Sequence, residues 1–339
     1  MFFDVKCLWH SGRFQNFATN AKDVRQMRLE NRGIQSKDSR MFKSLIAASL
    51  LLAVHAHAGA VSYLIESAAT VKWNAPHPAQ KIYGNTYYVG VTGLSSVLID
   101  TGKGLILLDG DLVQSVPHIE QNIASLGFHL KDIKFIANSH SHFDHAGGIA
   151  ELQLASGATV LASSWGAKAL RAGQAIEGDP QFGYAKDAGF PPVKQVRVVR
   201  DGETIALGDV KLVAHYTPGH TPGSTTWTWQ SCEGSSCLDV VYADSLNSVS
   251  APGFHYTAGK GHPDTSEHFR ASIHNVAALP CDILLTVHPD LSGTMDKLDA
   301  LKHEPKSNPF IDKQACVNYA ADAEKQLDQR IADEKAGRL

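Results

Sequence analysis

Asn138-Ser139-His140-Ser141-His142-Phe143-Asp144-His145-Ala146-Gly147-Gly148 follows directly on the apolar run Ile133-Lys134-Phe135-Ile136-Ala137 and packs three histidines and one carboxylate into six positions. At a strand end, residues i and i+2 project from the same face, so His140 and His142 can bind one cation together. Asp144 and His145 come where the chain turns through Gly147-Gly148 toward a helix, so they point elsewhere and can serve a second cation beside the first. Neutral imidazoles with one hard carboxylate suit zinc best among common cations, and ligand type alone leaves iron, manganese and cobalt open. A merely His-rich, solvated turn would not be matched by what lies downstream.

Downstream, Thr217-Pro218-Gly219-His220-Thr221-Pro222-Gly223-Ser224 follows the strand-like Val210-Lys211-Leu212-Val213-Ala214, and two Pro-Gly pairs stiffen the turn that carries His220. His288 stands in Val287-His288-Pro289-Asp290, after the buried-strand run Ile283-Leu284-Leu285-Thr286. Side chains at several strand exits can converge on one sheet edge, where α/β architectures usually place their chemistry.

This set resembles the metallo-β-lactamase fold superfamily and, within it, the third subclass of class B β-lactamases, whose zinc ligands are all nitrogen and oxygen. Asn85-Thr86-Tyr87-Tyr88-Val89-Gly90, Leu107-Leu108-Asp109-Gly110 and Tyr242-Ala243-Asp244-Ser245-Leu246 support it, and the likeness runs from about Trp73 to about Ala323. The resemblance implies two zinc ions, the first held by His140, His142 and His220 and the second by Asp144, His145 and His288. Three protein ligands per ion leave a position open on each, as in catalytic rather than structural sites. It further implies that a zinc-bound hydroxide attacks the amide of β-lactam antibiotics (penicillins, cephalosporins, carbapenems), with Asp144 as the catalytic carboxylate holding the nucleophile in line. No Ser-x-x-Lys motif and no Gly-x-Ser-x-Gly elbow competes.

Asp179-Pro180-Gln181-Phe182-Gly183-Tyr184 through Phe190-Pro191-Pro192 is a long Gly/Pro-punctuated segment of the kind that forms binding walls, with Phe182, Tyr184 and Phe190 as its apolar face. In the resembling subclass the serine at the Ser245 position helps bind the substrate carboxylate. Asn247 stands where a small hydroxyl residue is expected, as a further substrate contact. A second reading within the superfamily is a thioester or lactone hydrolase of the hydroxyacylglutathione hydrolase or acyl-homoserine lactonase kind, in which Asp244 would bridge the metals. A third, from another class, is a non-catalytic zinc-binding protein. His215 reads as core or as a support behind the ligands, and His118, His129, His268, His274 and His303 read as surface.

Met41-Phe42-Lys43, the apolar Ser44–Val54 and Ala56-His57-Ala58 have the order of a cleavable export signal, which places the chain in the periplasm. No segment reaches the roughly 18 apolar residues a bilayer needs, so stable membrane insertion is not expected. Residues 1–40 read as a leader or as sequence upstream of the true start at Met41, residues 41–58 as the signal peptide and residues 59–339 as one catalytic domain. Residues 1–58 carry nine Lys/Arg against four Asp/Glu, so their removal takes the net charge from −3 to −8 and disfavours a nucleic-acid partner. A monomer acting on small molecules is expected.

Of the five cysteines, Cys232, Cys237, Cys281 and Cys316 fall in that domain and suit an oxidising compartment. Arithmetic leaves three pairings open; the resemblance favours Cys281 with Cys316, leaving Cys232 with Cys237. With 43% apolar and 19% charged residues the chain can bury a full core. Hairpins from Lys81 to Leu108, helices near Pro117–Ser125, Gly148–Ala155, Thr265–Leu279 and Ile311–Glu334, and strands at Ile133–Ala137, Ala158–Leu161, Gln195–Val199, Val210–Tyr216, Thr225–Gln230, Leu238–Tyr242 and Ile283–Val287 are expected. Mixed sheets with helices outside fit an α/β, four-layer αββα sandwich with the metals at the edge where the sheets meet.

Overall fold

A computed structural model of the chain describes residues 67–184, 188–259, 263–303 and 306–338. The expected leader and signal peptide lie outside the described residues. A short helix α1 (Ala68–Trp73) leads into strands β1 (Gln80–Tyr83), β2 (Thr86–Tyr88), β3 (Val97–Asp100), β4 (Leu105–Leu108), β5 (Ile133–Ala137), β6 (Thr159–Ala162) and β7 (Val196–Val198). These form one sheet in chain order, antiparallel up to β4 and parallel from β4 to β7. Helices α2 (Val116–Ser125), α3 (Phe143–Ala146), α4 (Ile149–Ser156) and α5 (Ser164–Ala172) fill the connections. Strands β8 (Thr204–Leu207), β9 (Val210–Tyr216), β10 (Thr225–Glu233), β11 (Ser236–Ala243) and β12 (Ile283–Thr286) make a second sheet in the order β12-β11-β10-β9-β8. Helices α6 (Ser266–Ala277), α7 (Thr294–Leu301) and α8 (Ala315–Lys335) complete the fold.

The period-two alternation of each strand assigns its side chains to layers. Val97, Ile99, Ile106 and Leu108 of the first sheet meet Leu212, Ala214, Trp227, Trp229, Tyr242 and Leu285 of the second, forming the core between the sheets. The opposite faces point outward into helices: Leu98, Leu105 and Leu107 pack with Val116, Ile119, Leu152 and Leu170, while Val241, Ala243 and Leu284 pack with Phe269, Ile273, Ala320 and Leu327. Strands buried on both faces have nearly continuous apolar sequences, as β4 and β12 do. The four layers are helix, sheet, sheet, helix, as the alternation implied. Trp227 also ties the second sheet to the histidine loop, because its indole N–H donates to the Asn138 carbonyl at 3.2 Å.

Several local expectations are corrected. Helices α1, α3, α5 and α7 and strand β8 go beyond the sequence expectations, and α8 begins at Ala315 rather than Ile311 because Ile311 makes an isolated bridge with Ile283. The chain turns through Gly147 and Gly148 into α4 as expected, with both residues right-handed, at φ −55 and −85. They are required because that segment lies against the strand-β4 exit, where a Cβ on Gly147 would meet Asp111 O at 2.8 Å. Phe190, expected in the wall, is fully buried in the layer beneath the first sheet, its N–H donating to the Gly173 carbonyl at 2.8 Å.

Cys281 is bonded to Cys316 in the first turn of α8, across a sequence separation of 35, and Cys232 to Cys237 across the β10–β11 hairpin. Chain entropy assigns the longer loop about 4 kcal/mol and the short one about 2 kcal/mol. Replacing Cys281 and Cys316 with Ala is therefore expected to lower the unfolding free energy about twice as much as replacing Cys232 and Cys237, as read by denaturant melts. Equal losses would contradict the entropic account.

Candidate metal centre

Every strand that feeds the site ends on the same edge of the sandwich: β5 before His140, the β9–β10 turn around His220, β11 before Asp244 and β12 before His288. The rings of His140, His142 and His220 stand mutually edge-on with centroids 4.7 to 5.0 Å apart, and one ligand atom from each lies within 4.8 Å of the others. Beside them, Asp144 Oδ2 is 3.4 Å from His145 Nε2 and 3.5 Å from His288 Nε2, and the two imidazole nitrogens are 3.2 Å apart. Asp144 and His145 also come within 4.8 Å of the His140 donor, so the two triads adjoin. The sequence-derived set of six is thereby brought together.

The donors fit a metal. Four ligands at about 2.0–2.1 Å in a tetrahedron stand about 3.3 Å from one another, and the edges of the Asp144–His145–His288 triangle, 3.2, 3.4 and 3.5 Å, bracket that length. His288 donates its other nitrogen, Nδ1, to the Gly93 carbonyl at 3.4 Å, so its Nε2 presents a lone pair to the triangle. A cation between the three satisfies what hydrogen bonding among them cannot.

The ring nitrogens turned away from the triads show how the imidazoles are aimed. His140 donates through Nδ1 to Asp244 Oδ1 at 2.6 Å, His142 through Nε2 to Asp179 at 3.1 and 3.2 Å, and His220 through Nδ1 to the Asn247 carbonyl at 3.1 Å. Such partners fix tautomer and orientation, leaving His140 Nε2, His142 Nδ1 and His220 Nε2 for the ion. Beneath them Asp109 accepts from Ser139 N–H at 2.8 Å, Ser139 Oγ at 2.6 Å, Asn138 Nδ2 at 3.0 Å and Tyr242 OH at 2.9 Å. Asp109 adopts φ 57, rare for a non-glycine residue, to aim its carboxylate there. Burial pushes its carboxyl up to about 6, against the pull of His145 and Ser139.

Sequence reasoning missed Asp109 and Asp179 as supports and the Asn247 carbonyl as a partner of His220. Asp109 and Asp179 had one signal, an acidic residue in an apolar or Gly/Pro-rich setting; a backbone carbonyl has none. His215 is not behind the ligands: its Nε2 pairs with Thr228 Oγ1 at 2.9 Å on the second sheet. Ser245 is fully buried with no partner for its Oγ, and Asn247 Oδ1 is likewise unpartnered. Phe182 and Tyr184 are 51% and 58% exposed.

Charge divides the two triads. Burial and the neighbouring imidazoles of His145, His142 and His220 hold His140 well below its usual value, and burial with His142 lowers His220 to about 4. Burial opposes ionisation of Asp144, yet His145, His288 and His140 together hold its carboxyl well below the usual range. Burial likewise opposes a charged His145, but Asp144 carries it up to about 9. A metal entering the second triad must therefore displace a proton from His145. Its apparent affinity is expected to rise about tenfold per pH unit from 7 toward 9, whereas His140 and His220 are already neutral and add no such dependence to the first triad. Chelator competition at pH 7, 8 and 9 checks this; equal slopes for both ions would contradict it.

The sequence pattern of the Metallo-beta-lactamase superfamily matches residues 81–284, and the chain belongs to that family. Among solved structures it is similar to Rm3 metallo-beta-lactamase, with 46% identity, 80% of this chain and 100% of that chain covered, and a TM-score of 0.77. It is similar also to MEM-A1, a subclass B3 metallo-beta-lactamase isolated from a soil metagenome library, with 48% identity, 78% and 99% covered, and a TM-score of 0.75. A hydroxyacylglutathione hydrolase from Maricaulis maris is 36% identical over 88 residues, 26% of either chain, so the chain spans about a quarter of that relative's length.

Proposed function

We propose that this chain is an exported β-lactamase of the third subclass, which holds two zinc ions and opens the amide bond of penicillins, cephalosporins and carbapenems. The observation that carries the reading is the place of Asp244. Its carboxylate lies behind the His140 ring, 2.6 Å from Nδ1, while the metal-facing nitrogen of that ring is on the opposite side. A carboxylate so placed supports a histidine and does not bridge two ions, which favours the lactamase over the thioester or lactone hydrolase. The whole-length likeness to β-lactamases, against a quarter-length match to the hydroxyacylglutathione hydrolase, points the same way.

Zinc, when bound, supplies a nucleophile at neutral pH by acidifying its water and a Lewis acid for the carbonyl. His140, His142 and His220 would hold the first ion and Asp144, His145 and His288 the second. Asp144, the one carboxylate among the six, is also the group that accepts a hydrogen bond from the attacking water and keeps it in line. All six come from one chain, so no second copy is needed to complete the site. Phe182 and Tyr184 form the exposed wall toward substrate. Ser245 and Asn247, in the segment after β11, serve the substrate carboxylate; Ser245 Oγ and Asn247 Oδ1 are buried polar atoms with no hydrogen-bond partner in the chain. Export rests on the signal-like residues 41–58 and on the two disulfides. Among the described residues no helix is long and apolar enough to cross a membrane.

Incubating purified protein with a carbapenem, a penicillin and a thioester, with and without chelator, tests the reading. β-Lactam hydrolysis that chelator abolishes and zinc restores is expected, with about two zinc ions per chain. Thioester turnover without β-lactam turnover would overturn it.

A further inference from the structure

His142 is held from behind by a residue that also shapes the wall of the site. Asp179 is 4% exposed, and its oxygens lie 3.1 and 3.2 Å from His142 Nε2. Asp179 Oδ1 also accepts the Gln181 N–H at 2.8 Å, its carbonyl accepts the Phe182 N–H at 2.9 Å, and its own N–H donates to the Ile176 carbonyl at 3.0 Å. Pro180 accepts the Ala251 N–H at 2.8 Å, which stitches the turn to the loop that follows Asn247. On the other side Trp165 packs on Gly178 so closely that a Cβ there would meet the indole at 2.8 Å. Gly178, at φ +96, lets the backbone make that approach and bury the carboxylate that follows.

We infer that Asp179 is a positioning residue that locks the substrate wall at residues 179–184 to the first metal triad through His142. The inference rests on the reading above, that His140, His142 and His220 hold an ion. A buried carboxylate on an imidazole N–H fixes the tautomer, aims the other nitrogen and raises its basicity; removing such partners typically costs 10- to 100-fold in metal affinity. The same carboxylate, bonded to the Gln181 amide, sets the turn on which Gln181 and Phe182 are mounted, and the Gln181 side chain lies 3.3 Å from His220 Nε2. Asp244 differs. It pairs with His140 from within the core, and among the described residues its side chain makes no hydrogen bond to residues 179–184, so the coupling is specific to Asp179.

The test uses the chain, Asp179→Asn and Asp179→Glu. Asp179→Asn keeps the shape and removes the charge that strengthens the hydrogen bond. Zinc affinities are read by competition with a chromophoric chelator, kcat and KM with a carbapenem at saturating zinc, and cooperativity by thermal melting. In Asp179→Asn one zinc is expected to bind about 10- to 100-fold more weakly and the other about as in the parent. At saturating zinc KM should rise about fivefold or more with kcat within about threefold, because zinc refills the triad while the wall stays loose. Asp179→Glu, which restores the charge on a longer arm, should recover part of the lost affinity; if Asp179→Asn does not fold, a weaker zinc and raised KM in Asp179→Glu carry the inference, and parent values there overturn it. Parent-like affinities, or a parent-like KM, in a cooperatively melting Asp179→Asn also overturn it. A parent that binds no zinc, or hydrolyses no β-lactam, sinks the underlying reading instead.

Discussion

Replacing Asp144 with Asn is expected to lower kcat/KM by about a thousandfold or more and to leave one of the two zinc positions empty. Asp144 is the only carboxylate in either triad, and its Oδ2 stands 3.4 and 3.5 Å from His145 and His288. An amide oxygen keeps the shape but lacks the charge that draws a cation into a buried site. The substitution also strands His145: Asp144 is what carries that buried imidazole up to about 9, against the effect of burial. Two deficits therefore coincide, a lost ligand and a lost proton acceptor for the attacking water. Steady-state kinetics beside metal analysis of the same preparation decide it. A variant retaining two zinc ions and kcat/KM within about tenfold of the parent would remove Asp144 from both roles.

Replacing Asp109 with Ala is expected to destabilise the fold by about 4 kcal/mol although Asp109 touches no metal ligand. Three donors lose their acceptor, Ser139 N–H, Ser139 Oγ and one hydrogen of Asn138 Nδ2, while Tyr242 OH keeps the Ser95 carbonyl at 2.6 Å. Each buried group left unpaired costs about 1–3 kcal/mol. Part of that sum is offset, because burial already pushes the Asp109 carboxyl up to about 6 and a charge no longer has to be buried. The φ of 57 is no easier for Ala than for Asp, so backbone strain is not relieved. Denaturant melts of the metal-free chain read the loss directly, and a change below about 1 kcal/mol would show that the loop from Asn138 to His145 is held by other contacts.

The histidine motif could be read from sequence because its geometry is local. His140 and His142 lie two residues apart in the loop just after β5, and Asp144 and His145 are displaced from them by the helical turn of α3, so the separation of these four residues follows from a few residues of backbone. Strand alternation likewise sorted Val97, Leu98 and Ile99 to opposite layers without reference to anything distant. Phe190 went the other way. An aromatic residue in a Gly/Pro-rich segment is equally suited to a wall or to a core, and only the packing of that segment against α5 sends it inward.

Sequence alone thus placed His140, His142, Asp144 and His145 in one short motif and set the apolar strands that make the layers, because these depend on period, spacing and residue chemistry within short windows, while the family and the grouping with His220 and His288 came from resemblance over most of the chain. Tertiary structure alone decided what stands behind those residues. Asp179 reaches His142 across 37 positions and Asp244 reaches His140 across 104, through turns whose conformation neither partner specifies. The same holds for the position of Asp244. Its side chain sits at 2.6 Å from the rear nitrogen of His140 because β11 packs beside β10 and brings its exit under the histidine loop. A short-range pattern can name a ligand, but the direction from which a second group approaches it is a property of the assembled sheets.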